Sequence, residues 1–157
     1  MTPAVEAAKA AGIEFEVVAY EHDAGAESYG LEAAAKLGVD PERVFKTLVA
    51  QLDGRRLVVG IVPVDAQLDM KALANALAGR RAEMAPPADA ERATGYVLGG
   101  ISPLSQKRRL PAALDESALA FDRVYVSAGR RGVEIALAPV DLARVAGATV
   151  AAIARRS

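Results

Sequence analysis

Two apolar runs joined by Asp53-Gly54 constrain this chain more than any other feature. Val44–Leu52 reads as a strand and Arg56–Val62 as its returning partner. Asp-Gly supplies the positive φ angles that a tight hairpin turn needs. A second hairpin is expected from Arg123–Ser127 and Val133–Leu137, joined by Ala-Gly-Arg-Arg-Gly. Helices fit about Pro3–Ala11, Ser28–Leu37, Pro87–Thr94 and Pro139–Val145. Another follows an Asp69 cap, with Leu73 and Leu77 on one face and Gly79 as its stop. Asp40-Pro41-Glu42 suits a cap and a short helical turn, and shorter strands fit 14–20, Ala82–Met84 and Tyr96–Leu98. The tail, Val150–Ala154, suits either strand or helix. Strands and helices mix without strict βαβ alternation. The expected class is therefore α/β of the α+β kind, with a mixed, largely antiparallel sheet covered by helices. A length of 157 residues fits one domain spanning 1–157.

The inventory of reactive groups is short. There is no cysteine, which removes disulfides, a cysteine nucleophile and thiolate metal sites. A single histidine, His22, leaves no multi-histidine metal site and little room for a Ser-His-Asp triad. Chemistry here must come from backbone donors, Lys, Tyr, carboxylates, hydroxyls or the substrate itself. Net charge is −1, so any nucleic-acid contact must be a local patch. Arginine doublets recur at 55–56, 80–81, 108–109, 130–131 and 155–156, and solvated turn charges account for most of them. The first residues do not read as a signal peptide, and no apolar run approaches the ~18–20 residues needed to span a bilayer. A cytoplasmic location without membrane contact is expected.

Residues 94–109 hold the densest local signal. Gly99 and Gly100 permit close backbone approach, and Pro103 sets a bend soon after them. Free amides at such a turn can hold a carbonyl oxygen or a phosphate. A glycine-rich turn followed by a solvated run, Lys107-Arg108-Arg109, is the other reading. Lys46 shares a strand face with Val44, Leu48 and Ala50. An ammonium among apolar neighbours calls for a carboxylate, a wet cavity or an anionic ligand, unless it reaches solvent from an edge. Tyr20, Tyr29, Tyr96 and Tyr125 are the amphipathic aromatics available to a ligand or to the core. Glu134 could pair with a basic residue such as Lys46, or occupy an ordinary exposed strand position. Ser127 and Gly129 flank the hairpin, with Ser127 more suited to a ligand hydrogen bond than to attack. His22 reads as structural, and Asp65 and Asp69 as loop and cap residues.

These motifs resemble the YbaK/EbsC family of Cys-tRNA(Pro) deacylases, which is related to the editing domain of bacterial prolyl-tRNA synthetases. The resemblance rests on Tyr20-Glu21-His22-Asp23, Phe45-Lys46-Thr47-Leu48, Val62-Pro63 with Gln67-Leu68-Asp69, and Glu83-Met84-Ala85. It continues through Thr94-Gly95-Tyr96, Gly99-Gly100-Ile101-Ser102-Pro103, Gln106-Lys107, Leu110-Pro111, Tyr125-Val126-Ser127 and Arg131-Gly132, covering about Thr2–Arg155. It implies the YbaK-type fold and trans-editing of mischarged Cys-tRNA(Pro). The substrate's own thiol would attack its ester, which suits a chain without a conventional nucleophile. The resemblance puts Lys46 in the substrate cleft and the amides of Gly99, Gly100, Ile101 and Ser102 at the oxyanion. It assigns Tyr20, Tyr29, Thr47, Tyr96, Ser127, Gly129 and Glu134 to substrate binding. It implies no cofactor and no metal, and as partners the acceptor end of tRNA(Pro) and prolyl-tRNA synthetase.

The chain departs from the family at three places. Glu134 stands where Asp is common, Ser127-Ala128-Gly129 where Ser-Gly-Gly is common, and Tyr29 where Phe is usual. A positive φ at Ala128 would be strained. Ala- or Ser-tRNA deacylation by an activated water, and a non-catalytic module binding aminoacyl-tRNA or the synthetase, are the competing expectations.

Overall fold

The computed structural model describes residues 2–26 and 28–156. The expected domain over 1–157 includes Met1, Glu27 and Ser157, which lie outside the described residues.

Local signals set most element ends. Helix α1 (Pro3–Ala10) begins where Thr2 Oγ1 accepts from the Val5 amide at 3.2 Å. Strand β1 (Phe15–Ala19) follows. Helix α2 (Tyr29–Leu37) is capped by Ser28, whose Oγ accepts from the Leu31 amide, and it ends on Gly38. A 3-10 turn over Pro41–Arg43, capped by Asp40, leads into β2 (Phe45–Leu52). Asp53 and Gly54, at φ 54° and 68°, turn the chain into β3 (Arg56–Pro63). Then come β4 (Gln67–Leu68), α3 (Met70–Ala76) capped by Asp69, β5 (Ala82–Met84) and α4 (Pro87–Thr94). The remainder is β6 (Ala112–Asp115), β7 (Val124–Arg130), β8 (Val133–Leu137), α5 (Pro139–Ala146), β9 (Ala148–Ala151) and β10 (Ala154–Arg155).

Two expectations are corrected. Tyr96–Leu98 is not a strand: α4 ends on Gly95 at φ 81°, Tyr96 is buried, and Val97 and Leu98 turn outward. The left-handed residue after α3 is Ala78, not Gly79. Gly79 instead lies against Leu52, whose Cδ1 would be 2.3 Å from any Cβ there. The sequence reading also passed over β6, a short run of small apolar residues that pairs in parallel with β3 and β9.

The five-stranded sheet has the order β5-β2-β3-β6-β9, and its β2–β3 hairpin is antiparallel from Phe45↔Pro63 to Leu52↔Arg56. A separate antiparallel sheet has the order β1-β8-β7. Phe45, Val49, Val59 and Ile61 of the larger sheet pack with Val124, Val126, Ile135 and Leu137 of the smaller in one core. Ala50, Leu52, Val58 and Val62 face a second cluster with Leu73, Leu68 and Ile153. Period-2 alternation leaves Tyr125, Ser127 and Glu134 on the other face of the small sheet. A third cluster there joins Ala33 and Ala34 of α2 with Val44, Val64, Tyr20 and Tyr125. The mixed sheets and covering helices are those expected.

Candidate active site

A cleft of about 310 Å³ opens between α2, the start of β2, the 98–101 loop and the outer face of the small sheet. Tyr20, Tyr29, Lys46, Thr47, Gly99, Ile101, Ser127 and Glu134 line it, so these expected site residues converge. Gly100, Ser102, Tyr96 and Gly129 do not line it.

Lys46 is half-buried, and no ion pair among the described residues includes it. Burial lowers the ammonium pKa, and the nearby Asp65 carboxylate partly offsets this. Asp65 itself bonds Arg156 at 2.9 Å. Lys46 is therefore a cation available to an anionic ligand.

Glu134 is 6% exposed, a buried position rather than an exposed strand one. Burial pushes its carboxyl up to about 8, so it is largely protonated at neutral pH. No ion pair with Lys46 forms, and the carboxyl OH is a donor rather than a counter-ion. Burial raises Tyr20 as well, and the adjacent Glu134 adds to the shift. Glu134 pairs across the strands with Ser127, so both side chains point to the same face. Thr47 Oγ1 is buried with no hydrogen-bond partner among the described residues. A buried hydroxyl left unpaired is costly, and this one borders a cleft where a ligand can satisfy it.

The 98–101 loop is held from three sides. Leu98 N donates to the Glu91 carboxylate at 2.9 Å. Arg131 donates to Leu98 O from both Nε and a terminal nitrogen, at 3.0 and 2.6 Å, while its guanidinium lies 4.4 Å from the Tyr29 ring centroid. Tyr96 donates to Leu104 O at 2.7 Å, and burial pushes its phenol up to about 12. The Tyr96 ring lies beneath Gly129, where a Cβ would sit 2.7 Å from it. Gly100 N donates to Val97 O at 2.9 Å, which removes it from the set of free amides. Ser102 is fully buried, and its Oγ accepts from Leu104 N. Of the expected donors, Gly99 and Ile101 combine a place on the cleft wall with amides that no described group accepts from. Gly99 has φ 84°, and a Cβ there would stand 2.6 Å from Tyr29. Gly100 instead meets backbone: a Cβ would lie 2.8 Å from Arg130 Cα.

Ala128 is buried and is not among the positive-φ residues, so the anticipated strain is absent; Gly129 carries the φ of 108°. His22 is structural, its Nδ1 2.7 Å from Glu32 Oε1, and Asp23 N donates to Oε2 at 2.7 Å. Burial works to raise Glu32, but those hydrogen bonds outweigh it and hold the carboxyl below its ordinary range.

The sequence reading missed Ser28, Gly30 and Arg131. Gly30 lets the first turn of α2 press on Val64, whose Cγ1 would be 2.3 Å from a Cβ. A glycine inside a helical pattern is the signal that marks such a contact. Arg131, part of both an arginine doublet and the Arg131-Gly132 motif of the resemblance, is not a solvated turn charge: it locks the 98–101 loop. No group of three or more His, Cys, Asp or Glu among the described residues is placed to hold a metal ion. No helix among them is long and apolar enough to cross a membrane.

The fold matches a solved structure described as "a putative trans-editing enzyme for prolyl tRNA synthetase", with a TM-score of 0.83 and 26% identity over 99% of each chain. The protein named "Putative Cys-tRNA(Pro)/Cys-tRNA(Cys) deacylase EbsC" of Enterococcus faecalis is 40% identical over 80% of this chain and 74% of its own. The multifunctional Ser/Thr-tRNA deacylase ProXp-y of Escherichia coli is 30% identical over 86% of this chain and 81% of its own. Fold and relatives define an enzyme of the aminoacyl-tRNA deacylase class. The chain belongs to the aminoacyl-tRNA editing domain family, which matches residues 25–145.

Proposed function

We propose that this chain cleaves the ester of mischarged Cys-tRNA(Pro) in trans. The observation that carries the reading is a cleft with an unpaired ammonium, free loop amides and no cysteine or histidine on its wall. Such a site can orient an ester and stabilise an oxyanion but offers no strong nucleophile. The substrate thiol fills that role. A C–S bond forms at the ester carbonyl, the C–O bond to the ribose breaks, and the thiol proton ends on the ribose oxygen. Attack within one molecule requires chiefly correct folding of the substrate.

Lys46 holds a phosphate or ribose oxygen of the terminal nucleotide. The Gly99 and Ile101 amides face the developing oxyanion, with Gly100 and Ser102 shaping the loop. Tyr20, Tyr29, Thr47, Ser127 and protonated Glu134 hold the aminoacyl group, while Tyr96 and Gly129 support them from behind. The acceptor end of tRNA(Pro) is the ligand, and prolyl-tRNA synthetase is the partner that supplies it.

A second reading is favoured by Thr47. Its unpartnered hydroxyl and the Glu134 carboxyl suit a substrate hydroxyl, as serine or threonine would present. Single-turnover deacylation separates the readings. Rapid loss of Cys-tRNA(Pro) with slow loss of its S-blocked form is expected. Equal loss of both forms, or faster loss of Ser-tRNA, points to an activated water. No loss of any of them leaves a binding module.

A further inference from the structure

Two troughs, of about 590 and 460 Å³, adjoin on the far side of the sheet edge and share Gln51 and Arg55. Arg55, Arg80 and Arg81 line one, and Arg92, Lys107 and Arg108 line the other. All six are exposed. Only Arg92 is engaged in an ion pair among the described residues, with Asp89. The Asp53 carboxylate in the first trough is spent on backbone, accepting from the Arg80 and Arg81 amides at 2.9 Å each. Among the described residues the other five cations make no ion pair, although Glu83 also lines the first trough, and the chain's net charge is −1.

Their mounting is rigid. Asp53 N donates to Arg81 O at 2.7 Å, pinning the 80–81 segment to the hairpin turn. Lys107 N and Arg108 N donate to Thr94 O and Ala93 O, pinning the other pair to the end of α4. Two continuous elements join the troughs to the cleft. Strand β2 carries Lys46 at the cleft and Gln51 at the troughs, about 17 Å apart at the usual strand rise. The loop after α4 carries Gly99 and Ile101 at the cleft and Lys107 and Arg108 at the second trough.

We propose that the two troughs form a phosphate-backbone site that holds the acceptor arm of an RNA while its 3′ end enters the cleft. The proposal rests on the deacylase reading above. Guanidinium groups bind phosphate oxygens through forked donors, and a cationic strip orients a polyanion as well as binding it. The ~17 Å offset leaves length for a single-stranded CCA end between the ester and the duplex.

The test uses the triple variant R55Q/R81Q/R108Q and an uncharged acceptor-stem RNA hairpin ending in CCA. Fluorescence anisotropy between about 50 and 200 mM salt is expected to show affinity reduced about tenfold or more. The salt slope should also be shallower by roughly one per lost phosphate contact. Deacylation of an aminoacylated CCA trinucleotide, which is too short to reach the troughs, should match wild type. Wild-type affinity and slope in the variant overturn the proposal, and if such a variant also loses binding to prolyl-tRNA synthetase, the strip faces an acidic protein surface instead. Equal loss on the trinucleotide and the full tRNA substrate overturns it too. The hairpin measurement needs no catalysis, so it stands even if the deacylase reading fails.

Discussion

Arg131 stacks its guanidinium on the Tyr29 ring and donates twice to Leu98 O, so one side chain ties the β7–β8 turn to α2 and to the 98–101 loop. Lysine cannot reproduce a planar stack with a forked donor. Arg131→Lys should raise KM several-fold through a loosened Gly99 wall, with little change in thermal stability because the residue is exposed. Wild-type KM in steady-state deacylation would remove Arg131 from loop positioning.

Lys46→Ala should lower deacylation by about two orders of magnitude, the scale of removing one preorganised charge contact. The melting temperature should hold or rise, since the ammonium is half-buried and unpaired. Single-turnover rates and circular dichroism on the same preparation check both halves.

Thr47→Val keeps the shape of the side chain and deletes an unpartnered buried hydroxyl. Stability should increase by about 1 kcal/mol in urea denaturation, while turnover declines. A loss of stability would mean that the hydroxyl already has a partner in the free protein.

Glu134 sets a pH dependence. Its carboxyl ionises near 8 in the folded chain, against an ordinary 4.5. Between those values the folded state holds a proton that the unfolded state has released. The stabilisation is complete below pH 4.5 and is lost as pH rises through about 8. Glu134→Gln should abolish this slope and melt higher than wild type at pH 8, as differential scanning calorimetry across the window can read. An unchanged slope in the variant would assign the titration to another group.

Gly100→Ala should cost about 1–3 kcal/mol, because the new Cβ meets the backbone of Arg130 and not a flexible side chain. Activity should decline with it as the loop is pushed off the hairpin. Full activity at wild-type stability would show that the close approach is dispensable.

Much of this was legible in the sequence because the signals were local. Asp53-Gly54 and the Asp40 and Asp69 caps each act within a few residues, and each marks the element end it was read to mark. The failures came from long-range packing. Glu134 looked like an exposed position because alternation cannot reveal that α2 covers that face of the small sheet. Tyr96-Val97-Leu98 reads as a strand because the run is apolar, yet Tyr96 reaches the core from the turn after α4 and donates to Leu104 O. The oxyanion assignment of Gly100 fell to a single turn hydrogen bond to Val97. Whether an amide is free depends on conformation, which residue identity alone does not fix.

The pairing of β1 with β8 has a consequence for how the chain acquires its activity. Tyr20 leaves the end of β1, Glu134 sits on β8, and the β2–β3 hairpin and its neighbours lie between them in sequence. During synthesis from the N-terminus, β1 emerges long before its partner strand exists. Strands β2, β3, β5 and β6 of the larger sheet all precede β8 and can pair in the interval, but β9 and the cleft cannot be completed. The nascent chain therefore carries an unpaired β1 edge until β8 is made, and competence for the ester arrives as one of the last events in folding.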